Sequence, residues 1–283
     1  MKVGVIGAGI MGSGVAQSLA QSNHNVVLID LQEEVLKKSR DGIYNNIRFS
    51  GFYNKELEGE DPEVVLERIE FTTQYESLKD ADFIVENVPE QWEVKREAYA
   101  LLEEVCPEHC IYMVNTSCIS ITKIGALTKR GDKVIGVHFM NPVPLKPVVE
   151  AIRGYHTSQE TIEATKLLLS SMKKEVILVE DYPGFVSNRI SHLFMNEAAY
   201  VLQDQVATAE EVDEIFVKCF GHKMGPLRTA DLIGLDVVVN SLDILYESYQ
   251  DPKFRVCPLL RKMVDAGLLG SKSGQGFFEY ARF

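Results

Sequence analysis

The sequence predicts an α/β domain built on a mainly parallel sheet, followed by an all-helical C-terminal domain. Three observations predict it. Short apolar runs rich in β-branched residues alternate with helical stretches from Val3 to Leu178, which implies parallel pairing with helices on both faces. A glycine-rich turn, Gly7-Ala8-Gly9-Ile10-Met11-Gly12, joins the first run to the first helical stretch. After Pro183-Gly184 the apolar residues Val186, Ile190, Leu193, Phe194 and Val201 recur at helical spacing, with no strand signal to about Gly274. That dipeptide sets a boundary between domains at 1–182 and 183–283.

Residues 3–6 read as a buried strand, Ile10–Gln21 as a helix of small and apolar residues, and 26–30 as the next strand. Residues 33–40 open a helical stretch that continues as a polar helical segment to about Arg68. Strands follow at 82–85, 111–115, 134–138, 148–152 and 175–178, with helices at 95–104 and 121–127.

The 283 residues are 46% hydrophobic and 25% charged, enough apolar material to bury a full core. Lys and Arg number 29 against 41 Asp and Glu, a formal charge of −12, which argues against nucleic acid or an anionic membrane as the main partner. Five scattered cysteines fit reduced thiols in a cytoplasm better than a disulfide framework. Cys106 and Cys110 flank His109, but no second ligand pair follows, so no metal is expected. The uncharged run 3–23 after Lys2 imitates a secretory signal, yet five glycines break it and a second strand follows directly. Without an apolar span of about 18 residues elsewhere, a membrane helix is not expected.

The GxGxxG turn, standing between strand and helix, fits a Rossmann-type dinucleotide site. Gly7 permits the tight turn, Gly9 lets backbone approach a pyrophosphate, and Gly12 allows close helix–strand packing. The amides around Ile10 and Met11 then face phosphates, so an acidic chain binds an anion without basic side chains. Asp30, ending the second strand, is placed to accept bonds from the adenine ribose and to repel a 2′-phosphate. Leu31 and Gln32 follow in place of an arginine, so NAD is expected rather than NADP. A tightly packed helix start and an exposed strand-end aspartate are the plainer readings.

Further along stand Val114-Asn115-Thr116-Ser117-Cys118-Ile119-Ser120-Ile121-Thr122, Gly136-Val137-His138-Phe139-Met140-Asn141-Pro142, Val148-Val149-Glu150 and Gly184-Phe185-Val186-Ser187-Asn188-Arg189. The late series are Asp231-Leu232-Ile233-Gly234-Leu235-Asp236 and Lys272-Ser273-Gly274-Gln275-Gly276-Phe277-Phe278. In this order, and over nearly the whole chain, the series strongly resembles the 3-hydroxyacyl-CoA dehydrogenase family. The resemblance implies that His138 is the general base, Glu150 its orienting partner, and Ser117 and Asn188 polar groups around the reacting oxygen. It also places Glu90 and Lys95 beside the nicotinamide ribose and Asn115 at the nicotinamide end.

The chemistry suits those residue types. A histidine removes a hydroxyl proton as hydride leaves the same carbon, and a carboxylate on its far nitrogen fixes the tautomer. Two hydrogen-bond donors hold the alcohol or the thioester carbonyl near the cofactor. Plainer readings remain for each residue. His138 fits a satisfied strand-end histidine, Asn188 a helix cap, Ser117 a turn, and Lys95 a solvated charge paired with Glu93 or Glu97. Glu150 within an apolar run is the exception, since a buried carboxylate needs a partner.

Residues 41–70 carry only Arg48, Lys55 and Arg68 against eight acidic residues, whereas the family commonly has several basic residues there for coenzyme A. Asn87 stands where the family has a small apolar residue, and Cys118 replaces a common serine. With the series at 220–227 and 253–260, these departures resemble a polyketide-cluster branch acting on glyceryl or seryl groups of an acyl carrier protein, where Asn87 would bond an α-substituent. The resemblance therefore implies an NAD-dependent oxidoreductase of 3-hydroxyacyl thioesters on coenzyme A or carrier protein, acting at a cleft between the domains. It also implies a homodimer formed by the helical domain. The competing classes are free 3-hydroxyacid dehydrogenases, which rely on a helix lysine, and a retired NAD-binding structural protein.

Overall fold

The computed structural model describes residues 1–50 and 60–281. Lys55 and the middle of the expected polar helical segment lie outside the described residues. The chain forms two compact units, Met1–Asp181 and Tyr182–Phe283.

The first unit holds an eight-stranded sheet. In chain order its strands are β1 (Lys2–Ile6), β2 (Asn25–Ile29), β3 (Ile69–Thr72), β4 (Phe83–Glu86), β5 (Ile111–Val114), β6 (Val134–His138), β7 (Val148–Arg153) and β8 (Glu175–Glu180). Their spatial order is β3-β2-β1-β4-β5-β6-β7-β8. All neighbours from β3 to β6 pair parallel, as the alternating pattern predicts. β6 and β7 pair antiparallel, and β7 and β8 parallel again. The strand order reverses between β1 and β4, which makes the carboxyl ends of these two strands the place for a ligand in an open α/β sheet.

Among the described residues six α-helices lie between the strands: α1 (Ile10–Gln21), α2 (Glu33–Ser50), α3 (Pro62–Leu66), α4 (Trp92–Val105), α5 (Ile121–Gly125) and α6 (Gln159–Ser171). Val3, Val5, Leu28, Phe83 and Val85 share one buried cluster with Val15 and Leu19 of α1 and Ile43 of α2. Ile84, between two members of that cluster, is also fully buried and points to the opposite face by strand alternation. There Tyr112 of β5 lies 5.7 Å from Tyr99 of α4 and donates its hydroxyl proton to the Leu102 carbonyl. Strand β3 and helix α6 do not figure in the sequence reading. β3 is a four-residue edge strand of mixed polarity, and α6 is capped by Ser158, whose hydroxyl accepts from the Thr161 amide.

The second unit is helical: α7 (Ser187–Gln203), α8 (Ala209–Phe220), α9 (Pro226–Ile233), α10 (Leu235–Tyr249) and α11 (Pro258–Asp265). Thr208 and Glu211 form a capping box on α8, and Gly221 ends it in the left-handed conformation. The apolar stripe of α10 mostly serves the unit's own core, since Leu235, Val238 and Leu242 pack with Met195 and Leu260. Asp231, fully buried on α9, accepts from the amides of Phe277 and Phe278 and from the Tyr280 hydroxyl, each at 3.0 Å. The two late sequence series are thus tied together by one carboxylate, whose pKa burial pushes up. Tyr280, beside it and losing solvent, is pushed up to about 12.

Candidate active site

The glycine turn lies directly after β1. Gly7 has φ +90, and a Cβ there would stand 2.7 Å from the Asn87 carbonyl oxygen. A Cβ on Gly12 would lie 1.8 Å from the Gly7 oxygen, so neither position admits a side chain. At Gly9 the space is open, and Gly9 caps α1 without any side-chain bond to the helix amides. Those first-turn amides have no intrahelical acceptor and carry the positive end of the helix dipole. Asp30 is anchored at the end of β2: its Oδ2 accepts from the Ala8 amide at 2.9 Å and its Oδ1 from Gln32 at 3.1 Å. Beside this turn runs a cleft of about 380 Å³, lined by Gly9, Ile10, Ser13 and Lys38 on one side and Asn141 and Val143 on the other. An open glycine, unfilled helix amides and a strand-end carboxylate together fit a dinucleotide such as NAD.

At the reversal point the ends of β4, β5 and β6 are tied in sequence. Asn87 donates to the Val85 carbonyl at 2.9 Å and accepts from Asn115 Nδ2 at 2.7 Å. Asn115 Oδ1 in turn accepts from the Phe139 amide at 3.3 Å. Asn87 thus backs the glycine turn and braces Asn115. Below them Glu86 and Lys95 are wholly buried, with both carboxylate oxygens 2.8 Å from Nζ. Lys95 also donates to the Asn115 carbonyl at 3.2 Å. It is not a solvated helix charge, and Glu93 pairs with Arg96 instead. Burial pushes the Glu86 pKa up, against the opposing pull of the Lys95 ammonium.

Glu90 stands just before α4. Its Oε1 accepts from the Thr116 hydroxyl and from the amides of Ser117, Cys118 and Ile119, at 2.5, 3.0, 2.9 and 3.3 Å. Its Oε2 lies 3.8 Å from Lys95 Nζ. The turn so held carries Ser117, whose Oγ is 3.2 Å from His138 Nε2. On its other side His138 Nδ1 is 3.1 Å from Glu150 Oε2, with both residues buried.

The backbone explains that pairing. His138 ends β6, and the antiparallel register sets it directly opposite Glu150 on β7, where facing Cβ atoms lie about 5 Å apart. A carboxylate only accepts, so the imidazole proton sits on Nδ1, and Nε2 presents its lone pair to the Ser117 hydroxyl. The Ser117–His138–Glu150 line answers the oddity of a carboxylate inside an apolar run.

Asn188 lies in the first turn of α7 in the second unit. Its carbonyl lies 3.0 Å from His192 Nδ1. Three residues escaped the sequence reading. Glu86 closes an apolar strand as Asp30 does in the sequence pattern, and that signal was available. Asp181 accepts from Ser120 Oγ and the Thr122 amide, fixing the far end of the Ser117 turn. Lys174, buried, donates to the carbonyls of Val143 and Lys146 at 2.7 and 2.8 Å and holds one wall of the cleft. Loss of solvent lowers its pKa to about 8.

Comparison with known proteins meets this geometry from the other side. Residues 2–182 match the NAD binding domain of 3-hydroxyacyl-CoA dehydrogenase, and residues 184–280 match its C-terminal domain. A probable 3-hydroxybutyryl-CoA dehydrogenase of Deinococcus radiodurans is 42% identical over 99% of this chain and 100% of its own. The 3-hydroxybutyryl-CoA dehydrogenase of Clostridioides difficile is likewise 42% identical, covering 99% of each chain. The crystal structure of (S)-3-hydroxybutyryl-CoA dehydrogenase from Ralstonia eutropha superimposes with a TM-score of 0.94 at 39% identity, covering 99% of both chains. With both domain signatures present in order and full-length relatives at this identity, the chain belongs to the 3-hydroxyacyl-CoA dehydrogenase family.

Proposed function

We propose that the protein interconverts a 3-hydroxyacyl-CoA, 3-hydroxybutyryl-CoA in the first place, and the corresponding 3-oxoacyl-CoA with NAD. The observation that carries this reading is the Ser117–His138–Glu150 line, on the same unit as the glycine turn. The turn at Gly7, Gly9, Ile10, Met11 and Gly12 and the Asp30 carboxylate hold NAD, which supplies the hydride acceptor. His138 Nε2 takes the proton of the 3-hydroxyl group, and Glu150 stabilises the imidazolium that results. Ser117 donates to the reacting oxygen and fixes its distance from Nε2. Asn188 serves as a second donor to the thioester, and Asn115, Glu90 and Lys95 shape the nicotinamide end; these four assignments follow the family pattern. Lys38 in the cleft is a cation suited to a phosphate of coenzyme A.

The same reading makes the protein a cytoplasmic homodimer. Its five cysteines are free thiols, and no described helix is long and apolar enough to cross a membrane. In the second unit Ile190 and Leu232 are each 63% exposed, apolar surface that a second copy would cover.

NADH formation from 3-hydroxybutyryl-CoA, from the same acyl group on a carrier protein and from free 3-hydroxybutyrate tests the proposal. Turnover of the coenzyme A thioester far above the free acid is expected. A carrier-protein thioester favoured over coenzyme A would move the assignment to carrier-bound glyceryl or seryl groups. Equal rates on the free acid, or NAD binding without turnover on any thioester, would overturn it.

A further inference from the structure

We infer that Glu90 is a positioning residue: its carboxylate clamps the turn 116–119 and thereby sets the Ser117 hydroxyl against His138. The inference rests on the reading of Ser117 above and deepens it. One oxygen, Glu90 Oε1, gathers four donors from four successive residues, the Thr116 hydroxyl and the Ser117, Cys118 and Ile119 amides. Convergent amides of this kind form an anion-binding concavity, and bonds to an ionised acceptor are about twice as strong as neutral ones. The ends of the turn are fixed separately, by Asn115 on one side and by Ser120 through Asp181 on the other. A serine hydroxyl 3.2 Å from its histidine is useful only while that distance holds, and a displacement of about 1 Å costs roughly a hundredfold in rate. Lys95, 3.8 Å from Oε2 and bonded to Glu86, orients the clamp from behind.

The test uses the full-length protein and the variants Glu90→Ala, Glu90→Gln, Ser117→Ala and the double variant Glu90→Ala/Ser117→Ala. Glu90→Ala is expected to lower kcat by about 10- to 100-fold, and Glu90→Gln, which keeps an acceptor oxygen, by less. In the Ser117→Ala background removal of Glu90 should cost nothing more, because the two act as one unit. Rates are compared at saturating NADH, with its affinity followed through energy transfer from Trp92, the single tryptophan, so that a loss at the nicotinamide end is separated from the loss in kcat. Amide exchange over 116–119 should quicken in Glu90→Ala, which reads the clamp without any turnover.

If exchange there stays slow, or if the losses of the two single variants multiply, the inference falls and the dehydrogenase reading stands. Weakened NADH binding with undisturbed exchange would leave Glu90 a group of the nicotinamide end alone and overturn the clamp. A Ser117→Ala variant as fast as the parent overturns both this inference and the role of Ser117. A parent inactive on every thioester overturns the proposed function, while the exchange measurement still decides on the clamp.

Discussion

Replacing Glu150 by glutamine tests the central chemistry with the smallest change of shape. The wild-type carboxylate lies 3.1 Å from His138 Nδ1, and both side chains are 9% exposed, so water screens the pair little. Glutamine is isosteric, and β7 keeps its register with β6, but two electrostatic properties change. The imidazolium formed during proton abstraction loses a charge-assisted bond of about 1.5–3 kcal/mol, which at about 1.4 kcal/mol per decade is roughly 10- to 150-fold in rate. The glutamine amide can also donate to Nδ1, which moves the ring proton to Nε2, where it faces Ser117 and cannot accept from an alcohol. General-base catalysis is worth about 10²–10⁴-fold in all, so kcat should fall by between those factors. NADH binding should not change, because Glu150 lies outside the glycine turn and the Asp30 contacts. Steady-state NADH absorbance with 3-hydroxybutyryl-CoA gives kcat, and equilibrium fluorescence gives the affinity. A loss smaller than about tenfold, in a variant that binds NADH normally, would refute His138 as a base braced by Glu150.

Gly12→Ala forces a methyl group to 1.8 Å from the Gly7 oxygen, so the turn must open; isothermal titration should show NAD binding lost, with a lowered melting temperature. Asp30→Ala removes an acceptor for ribose hydroxyls, and a charged hydrogen bond of about 1.5–3 kcal/mol predicts a rise of roughly 10- to 150-fold in the KM for NAD with kcat retained. Lys174 has its pKa lowered by burial from 10.5 to about 8. Between those values the unfolded chain holds the proton more tightly, so this residue makes stability increase as pH rises from about 8 to 10.5. Denaturant unfolding of the parent and of Lys174→Met across that range should therefore show a pH-dependent difference, and a flat difference would refute the lowered pKa.

Much of the first unit was legible because buried strands and glycine turns leave local signals. The runs at β1, β2, β4, β5 and β6 are short, apolar and β-branched, and the turn after β1 requires glycines for steric reasons that the structure displays at Gly7 and Gly12. Strand direction is another matter. Apolar periodicity carries no polarity, so the pattern alone does not distinguish the antiparallel β6–β7 pair from its parallel neighbours. The connection 139–147 does hold a clue. It carries only one 3-10 turn, at Val143–Leu145, whereas a parallel crossover needs about a dozen residues. Lys95 was legible in type but not in circumstance, since its partner Glu86 lies nine positions earlier, across the β4–α4 turn. The late series at Asp231 and Phe277-Phe278 were recognisable only as a resemblance. Their cause is one buried carboxylate bonding two backbone amides 46 and 47 residues away, which no local pattern encodes.

The antiparallel strand also accounts for why the site lies where it does. In a wholly parallel sheet the residue beside His138 would belong to a strand running the same way, and its carboxyl end would leave the crevice alongside that of β6. Reversing β7 brings the middle of a strand opposite the end of its neighbour. Glu150 can therefore be buried, fixed by ladder bonds on both sides and still face an imidazole at the open edge. A loop carboxylate would reach the same ring only with rotamers and backbone to order, at about 1–2 kcal/mol per residue fixed. The same economy holds for the cofactor half. On the proposed reading the anion would be met by backbone at Gly9, and the Asp30 carboxylate is already fastened by two amides. Strand-end geometry of this kind lets a protein with a formal charge of −12 meet the phosphates of a dinucleotide with backbone amides.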